Sequence, residues 1–204
     1  LPCAAQITDS FIAAEGGSAS AHSEGKMPSD FASRAQLILR EQRDLYGYWR
    51  ACAQSKRIPS RYDIDPVDIP HLLPGLSLLD AGEELEALRY RLAGTRVREI
   101  YGTEITGRAV FDSGLQHKRE YWRSVYRQVI GGATPMQGAV RGPVSGRDHL
   151  LLIWMRLPLC GLSGTVERVL GYDAAMPLSF QYSKGEEEVV RLVPVTERRL
   201  ARRR

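Results

Sequence analysis

The stretch HLLLIWMRLPL, residues 149–159, decides the fold. Its apolar side chains do not alternate with polar ones: Leu151, Ile153 and Met155 project one way, and Leu150, Leu152 and Trp154 the other. Successive side chains of a strand point to opposite faces, so this strand is apolar on both. Such a strand lies centrally in a sheet that is covered on both sides. Two further strand candidates flank it, at 136–144 and 164–173, joined by Ser145-Gly146-Arg147 and Cys160-Gly161-Leu162-Ser163-Gly164. Links this short suit an antiparallel meander and are too short for a parallel crossover.

Working upstream, residues 115–130 form an amphipathic helix, with Leu115, Trp122, Val125, Val129 and Ile130 on one face and His117, Lys118, Arg119, Arg123 and Arg127 elsewhere. Gly131 and Gly132 end it, because helices commonly close with a left-handed residue. Before it, AGTRVREIYGTEITGRAVFDSG (93–114) holds four glycines and only short helical patterns, so it wraps around something instead of forming one long element. LSLLD (76–80) is a short buried strand. In LRYRL (88–92), Leu88, Tyr90 and Leu92 alternate with Arg89 and Arg91, the mark of a half-buried strand, and the two strands pair as a hairpin. A first helix is expected over 31–55, with Ile38, Leu45, Trp49 and Cys52 on its apolar face, Phe31, Ala35 and Tyr48 in support, and Ser29 and Asp30 as caps. Four prolines between positions 59 and 74 then make an ordered connector with a helical turn near 67–73. Asp63, Asp65 and Asp68 in that connector have the wrong spacing for a calcium loop and are expected to cap turns.

The bulk properties agree with one soluble domain: 204 residues, 43% hydrophobic and 25% charged. The net charge of +4 comes from RRLARRR at 198–204, which leaves 23 basic against 24 acidic residues before it. The basic end is an accessory handle at most, since a nucleic-acid-binding domain carries its basic stripe on the fold itself. Cys3, Cys52 and Cys160 form no CxxC pair, which fits a reducing compartment and argues against structural zinc. No apolar run is long enough to span a membrane and no signal peptide is evident, so a cytoplasmic location is expected. Position 1 is Leu, so the chain is expected to be a fragment or a processed form, with Met27 as a candidate internal start. The expected layout is a disordered segment at 1–28, a domain at 31–190 and a basic tail at 191–204; the domain divides into the helix 31–55, the connector 57–75 and a core 76–173.

Four segments, YGYWR (46–50), RIPSRYDIDPVDIPHLLPGLSLLD (57–80), RYRLAGTRVREIYGTEITGR (89–108) and the later strand pair, together resemble a family of small, mainly proteobacterial, single-domain PAS-like proteins. The resemblance runs from about Arg40 to Asp173, with Gly107-Arg108 matching the Gly-Arg step that leads toward the long helix of a PAS domain. It implies an α+β fold in which a PAS-like antiparallel five-stranded sheet carries a helix on one face and the N-terminal amphipathic helix on the other. It also implies sensing or relaying a signal through a small ligand or a protein partner, and it brings no catalytic residues.

Residue chemistry offers little else. His117 sits in phase with Lys118 and Arg119, as a surface histidine does, and not with the apolar face that could present it to haem. No cysteine lies in the wrapping segment to form a flavin adduct. There is neither a GxSxG elbow nor a Walker or dinucleotide glycine pattern, and Glu186, Glu187 and Glu188 read as a solvated run. The protein is therefore expected not to be an enzyme, and its cofactor, if it has one, is unknown. The expected ligand site is an apolar cavity between sheet and helix lined by Tyr90, Leu92, Tyr101, Phe111, Trp122, Val125, Leu151, Ile153 and Met155, with Arg108 and His149 as its polar groups. Three partners follow as expectations. The first is a small apolar ligand whose binding is relayed by protein contacts. The second is a second copy of the chain, docked through the first helix with Tyr48 and Trp49 as anchors. The third and least supported is nucleic acid at the arginine tail.

Overall fold

The computed structural model describes residues 39–112 and 118–177, together with the backbone of 188–191. The first helix, α1, spans Arg40–Ala53 and turns Leu45, Tyr46, Trp49 and Ala53 inward. The part expected at 31–38, with the caps at Ser29 and Asp30, lies outside the described residues. At the start of α1, Gln42 Oε1 accepts from the Leu39 N–H (3.3 Å), and its Nε2 donates to the carbonyl of Trp154 (3.2 Å).

The connector crosses the sheet in three short 3₁₀ turns, Arg61–Asp63, Pro66–Asp68 and Leu73–Gly75. Two of its three acids act as caps: the Ser60 N–H donates to Asp63 (2.8 Å) and the Val67 N–H donates to Asp65 (2.9 Å). Asp68, expected to cap as well, instead accepts from the Tyr48 hydroxyl of α1 (2.9 Å). Four prolines withhold donors here, and these side chains supply the local bonds that a regular ladder would otherwise give.

Strands β1 (Leu76–Asp80) and β2 (Arg89–Ala93) form the hairpin, α2 (Thr95–Tyr101) opens the wrapping segment, and α3 (Arg119–Gly131) is the long helix. Gly132 follows α3 with φ −90°. The left-handed residue falls one step later than expected, at Ala133 (φ 46°). Strands β3 (Met136–Arg141), β4 (Leu150–Cys160) and β5 (Val166–Pro177) make the meander, and β6 (Glu188–Arg191) adds a strand that the sequence reading did not expect. The sheet order is β2-β1-β5-β4-β3-β6 with antiparallel pairing throughout. The expected five strands are the first five in that order; the sixth pairs Glu188 to Arg191 with β3, and Glu186 and Glu187 lie outside the described residues.

The sheet separates two cores. On one face, α2, α3 and the segment around Ile105 to Phe111 pack against Leu79, Tyr90, Val140, Leu152, Trp154 and Val169. On the other, α1 and the connector pack against Leu76, Leu78, Met155, Leu157, Leu159, Leu170 and Tyr172. We call these the inner and outer faces. No helix among the described residues is long and apolar enough to cross a membrane.

Two expected directions are reversed. In β4 the residues turned toward α3 are Leu152 and Trp154, while Met155, with Leu151 and Ile153 in the same phase, belongs to the outer face. In β2 a bulge at Arg91 breaks the alternation: Tyr90 pairs with Leu79 and Leu92 with Leu78, which lie on opposite faces. Leu92 therefore leaves the inner core and is 45% exposed on the outer side. An extra residue in one strand of a pair shifts every later side chain to the other face.

Candidate functional site

The inner face holds a polar centre within the apolar core. Arg156 of β4 and Asp173 of β5 are both completely buried and form a two-pronged ion pair, Nη2 to the carboxylate oxygens at 2.9 and 3.2 Å. Nε of Arg156 donates to the hydroxyl of Tyr126 on α3 (3.0 Å), and Nη1 donates to the carbonyls of Met155 (2.8 Å) and Tyr172 (3.4 Å). The flat guanidinium also lies over the rings of Trp122 (5.3 Å) and Trp154 (5.8 Å). A buried charge is tolerable only when it is paired and its remaining protons are accepted, and here every guanidinium nitrogen has an acceptor.

Backbone geometry makes the room. Arg156 stands opposite Gly171 of β5, and a Cβ at position 171 would come within 2.3 Å of Ser77 Oγ and 3.2 Å of Arg156 Nη1. The absent side chain lets the guanidinium lie flat across β5 and reach Asp173, with Ser77 of β1 on its far side.

Around this pair stand four buried polar atoms: Ser77 Oγ and Trp122 Nε1 have no hydrogen-bond partner among the described residues, while the hydroxyls of Tyr90 and Tyr101 face only other phenols, that of Tyr90 lying close enough to those of Tyr101 and Tyr126 to oppose the rise that burial gives their pKa values. All four can donate. Burial pushes the phenols of Tyr90 and Tyr101 well above the usual tyrosine range. For Tyr90 the neighbouring Tyr101 and Tyr126 add to the rise, and for Tyr101 Asp173 does, with Arg156 opposing in both cases. Burial likewise raises Tyr126. It also raises the Asp173 carboxyl, which Arg156 holds down. Burial works against the charge of Arg156, but Asp173 holds it in place.

Of the residues expected to line a ligand site, Tyr90, Tyr101, Phe111, Trp122 and Val125 are brought together on the inner face. Leu92, Leu151, Ile153 and Met155 are not, for the reasons of phase given above. Arg108 is exposed; its backbone carbonyl accepts from Tyr90 N–H (2.9 Å), so it covers the edge of β2 and contributes no side chain to the interior. His149 is exposed in the turn before β4. His117 and residues 198–204 lie outside the described residues.

The two residues expected at an interface are spent within the fold. Trp49 is buried and its indole N–H donates to the carbonyl of Pro158 (3.0 Å), while the Tyr48 hydroxyl also accepts from the Asp65 N–H (2.8 Å).

Arg156, Asp173, Tyr126 and Ser77 were not anticipated. A signal for the first two existed: charged residues within runs of apolar strand are rarely buried unless paired. Asp173 escaped it because the strand was expected to end there, whereas β5 continues to Pro177 and leaves Asp173 in mid-strand.

The site sits between a five-strand antiparallel core and its crossing helix, an arrangement that can be compared with known proteins. Among solved structures, an RNA-binding light-oxygen-voltage receptor is similar at 17% identity and a TM-score of 0.40, over 57% of this chain and 35% of that one. The chain thus spans about a third of that structure's length. No curated protein matches. The PAS domain family matches residues 39–173, most of the chain, and the protein belongs to that family.

Proposed function

We propose that this PAS domain is a non-enzymatic sensory module of the cytoplasm that holds a small hydrogen-bond-accepting molecule at the Arg156 centre and relays its presence through protein contacts. One observation carries the reading: four buried donors gather around the same ion pair, Ser77 and Trp122 with no partner among the described residues and Tyr90 and Tyr101 with only one another and Tyr126 nearby. A buried polar group left unmatched costs about 1–3 kcal/mol, so a cluster of this kind favours an occupant that accepts from it. The ligand is then polar at its core, with an apolar rim against Phe111 and Val125, instead of wholly apolar. Two unpaired cysteines, Cys52 and Cys160, support a reducing compartment.

β4 supplies the relay. The Trp154 indole reaches the inner face and donates to the Tyr121 hydroxyl (3.0 Å), while its carbonyl accepts from Gln42 of α1 (3.2 Å). An occupant that moves the Trp154 ring therefore acts on the bond that fastens α1. It shifts the population of docked and released α1 only if it binds the two states with different affinity.

The test uses the full chain, purified rapidly. Solvent extraction with mass spectrometry and a near-ultraviolet to visible spectrum identify a co-purified molecule, and a melting screen covers small carbonyl, carboxylate and heterocyclic compounds. The expected outcome is a bound species or a compound that raises the melting temperature. Tyr90→Phe/Tyr101→Phe is expected to raise the ligand-free melting temperature and to remove that compound's effect. Protein that is empty in every preparation, with no compound shifting its melting, would overturn the reading.

A further inference from the structure

The outer face has a concave site of its own, walled off from the Arg156 centre by the sheet. A cavity of about 200 Å³ opens between the connector and β1, β2, β4 and β5, with Leu78, Leu159 and Leu170 among the residues of its floor and Ile64, Ile69 and Leu92 among those of its sides. Among the described residues, Arg61 is the only charged one in its lining. Arg61 is half-buried, its guanidinium is tethered by a bond from Nη1 to the Ile64 carbonyl (3.0 Å), and no carboxylate pairs with it among the described residues. The exposed apolar surface of the connector gathers nearby: Tyr62 is 84% exposed, Val67 81% and Leu73 40%, with Leu92 at 45% across the opening. An apolar chamber closed by one positioned cation is the complement of an amphipathic anion.

We propose that this cavity binds a free, medium-chain alkyl carboxylate, its chain against Leu78, Leu159 and Leu170 and its carboxylate on Arg61. Size sets the length: an apolar cavity of about 150 Å³ accepts benzene, so this one takes roughly eight carbons. Ser77 borders both sites, but the inference is independent of the function proposed for the Arg156 centre, since the side chains it uses lie on the opposite side of the sheet.

The experiment is titration of the full chain, by calorimetry and by methyl-resolved NMR, with butanoate, hexanoate, octanoate and decanoate below their micellar range. Affinity is expected to rise about fourfold per added methylene and to level off near octanoate. Octanol is expected to bind about tenfold more weakly than octanoate. Arg61→Gln should bring the two together, and Leu92→Trp, which fills the opening, should abolish both. NMR shifts on binding should centre on Ile64, Ile69, Leu78 and Leu170, a readout that needs no variant. Absence of binding, affinity that ignores chain length, indifference to both variants, or shifts centred on the inner-face methyls of Val125 and Leu152 would each overturn the proposal; the last would instead favour the Arg156 centre. Binding to anionic vesicles without binding to free octanoate would overturn it too, by making this face a membrane contact.

Discussion

At Asp173 the chain buries a carboxylate completely in the middle of a strand, which is affordable only because Arg156 meets it with two hydrogen bonds. Burial alone favours the neutral acid, so the pair is a weak source of stability and a severe liability when halved. Asp173→Ala is expected to cost about 3–5 kcal/mol in urea unfolding, because it strands a guanidinium among Trp122, Trp154 and Tyr126. Arg156→Met with Asp173→Leu should recover most of that loss, and strictly additive effects in the double-mutant cycle would refute the coupling. Little of this was legible in the sequence. Tyr90, Tyr101, Trp122 and Val125 could be placed from period and phase, because an apolar face is a local pattern. The pairing of residue 156 with residue 173 depends on register between two strands, which no local pattern encodes.

Among the elements, α1 is fastened to β4 by two side chains, Gln42 at the Trp154 carbonyl and Trp49 at the Pro158 carbonyl. Pro158 has no N–H to offer a neighbouring strand, and Trp49 engages the carbonyl that remains. Trp49→Ala is expected to destabilise the domain by about 3–5 kcal/mol through the cavity left against Leu157 and Leu159. It should also speed amide exchange in 40–53 more than in α3; equal protection of the two helices would count against α1 as a separately docked element. The apolar face of α1 was readable, yet its use was not: Trp49 fits a dimer anchor and a core residue equally well until the sheet beneath it is seen. β2 shows the converse. Five alternating residues describe a regular strand, but the bulge at Arg91 arises from the register with its hairpin partner β1, which the alternation within β2 does not encode.

For the whole molecule, the order of elements as far as β5 and the three layers followed from segment periods and link lengths. The face assignment of β4 did not, because a strand apolar on both sides gives no phase by which to choose. The inner core also gives the protein a characteristic response to alkali. Tyr90, Tyr101 and Tyr126 are held neutral in the fold by burial, so their folded pKa values lie above those of the unfolded chain. The stability this represents is complete below the unfolded value of about 10 and is lost as pH rises past it toward the folded values, by roughly 1.4 kcal/mol per pH unit for each phenol. Urea midpoints should therefore fall steeply in that range, and Tyr90→Phe/Tyr101→Phe should flatten the fall; an unchanged slope would show that the phenols ionise in the native state. A last consequence concerns how β4 and β5 find each other. Both are long, and hydrophobicity hardly separates one alignment from the next, since either face of β4 can be buried. A slip by one residue, however, would send Arg156 to the side of Leu45 and Trp49 and leave Asp173 behind on the other. The ion pair makes every odd misalignment carry two lone buried charges, so it acts as the key that selects one register from several that grease alone would accept.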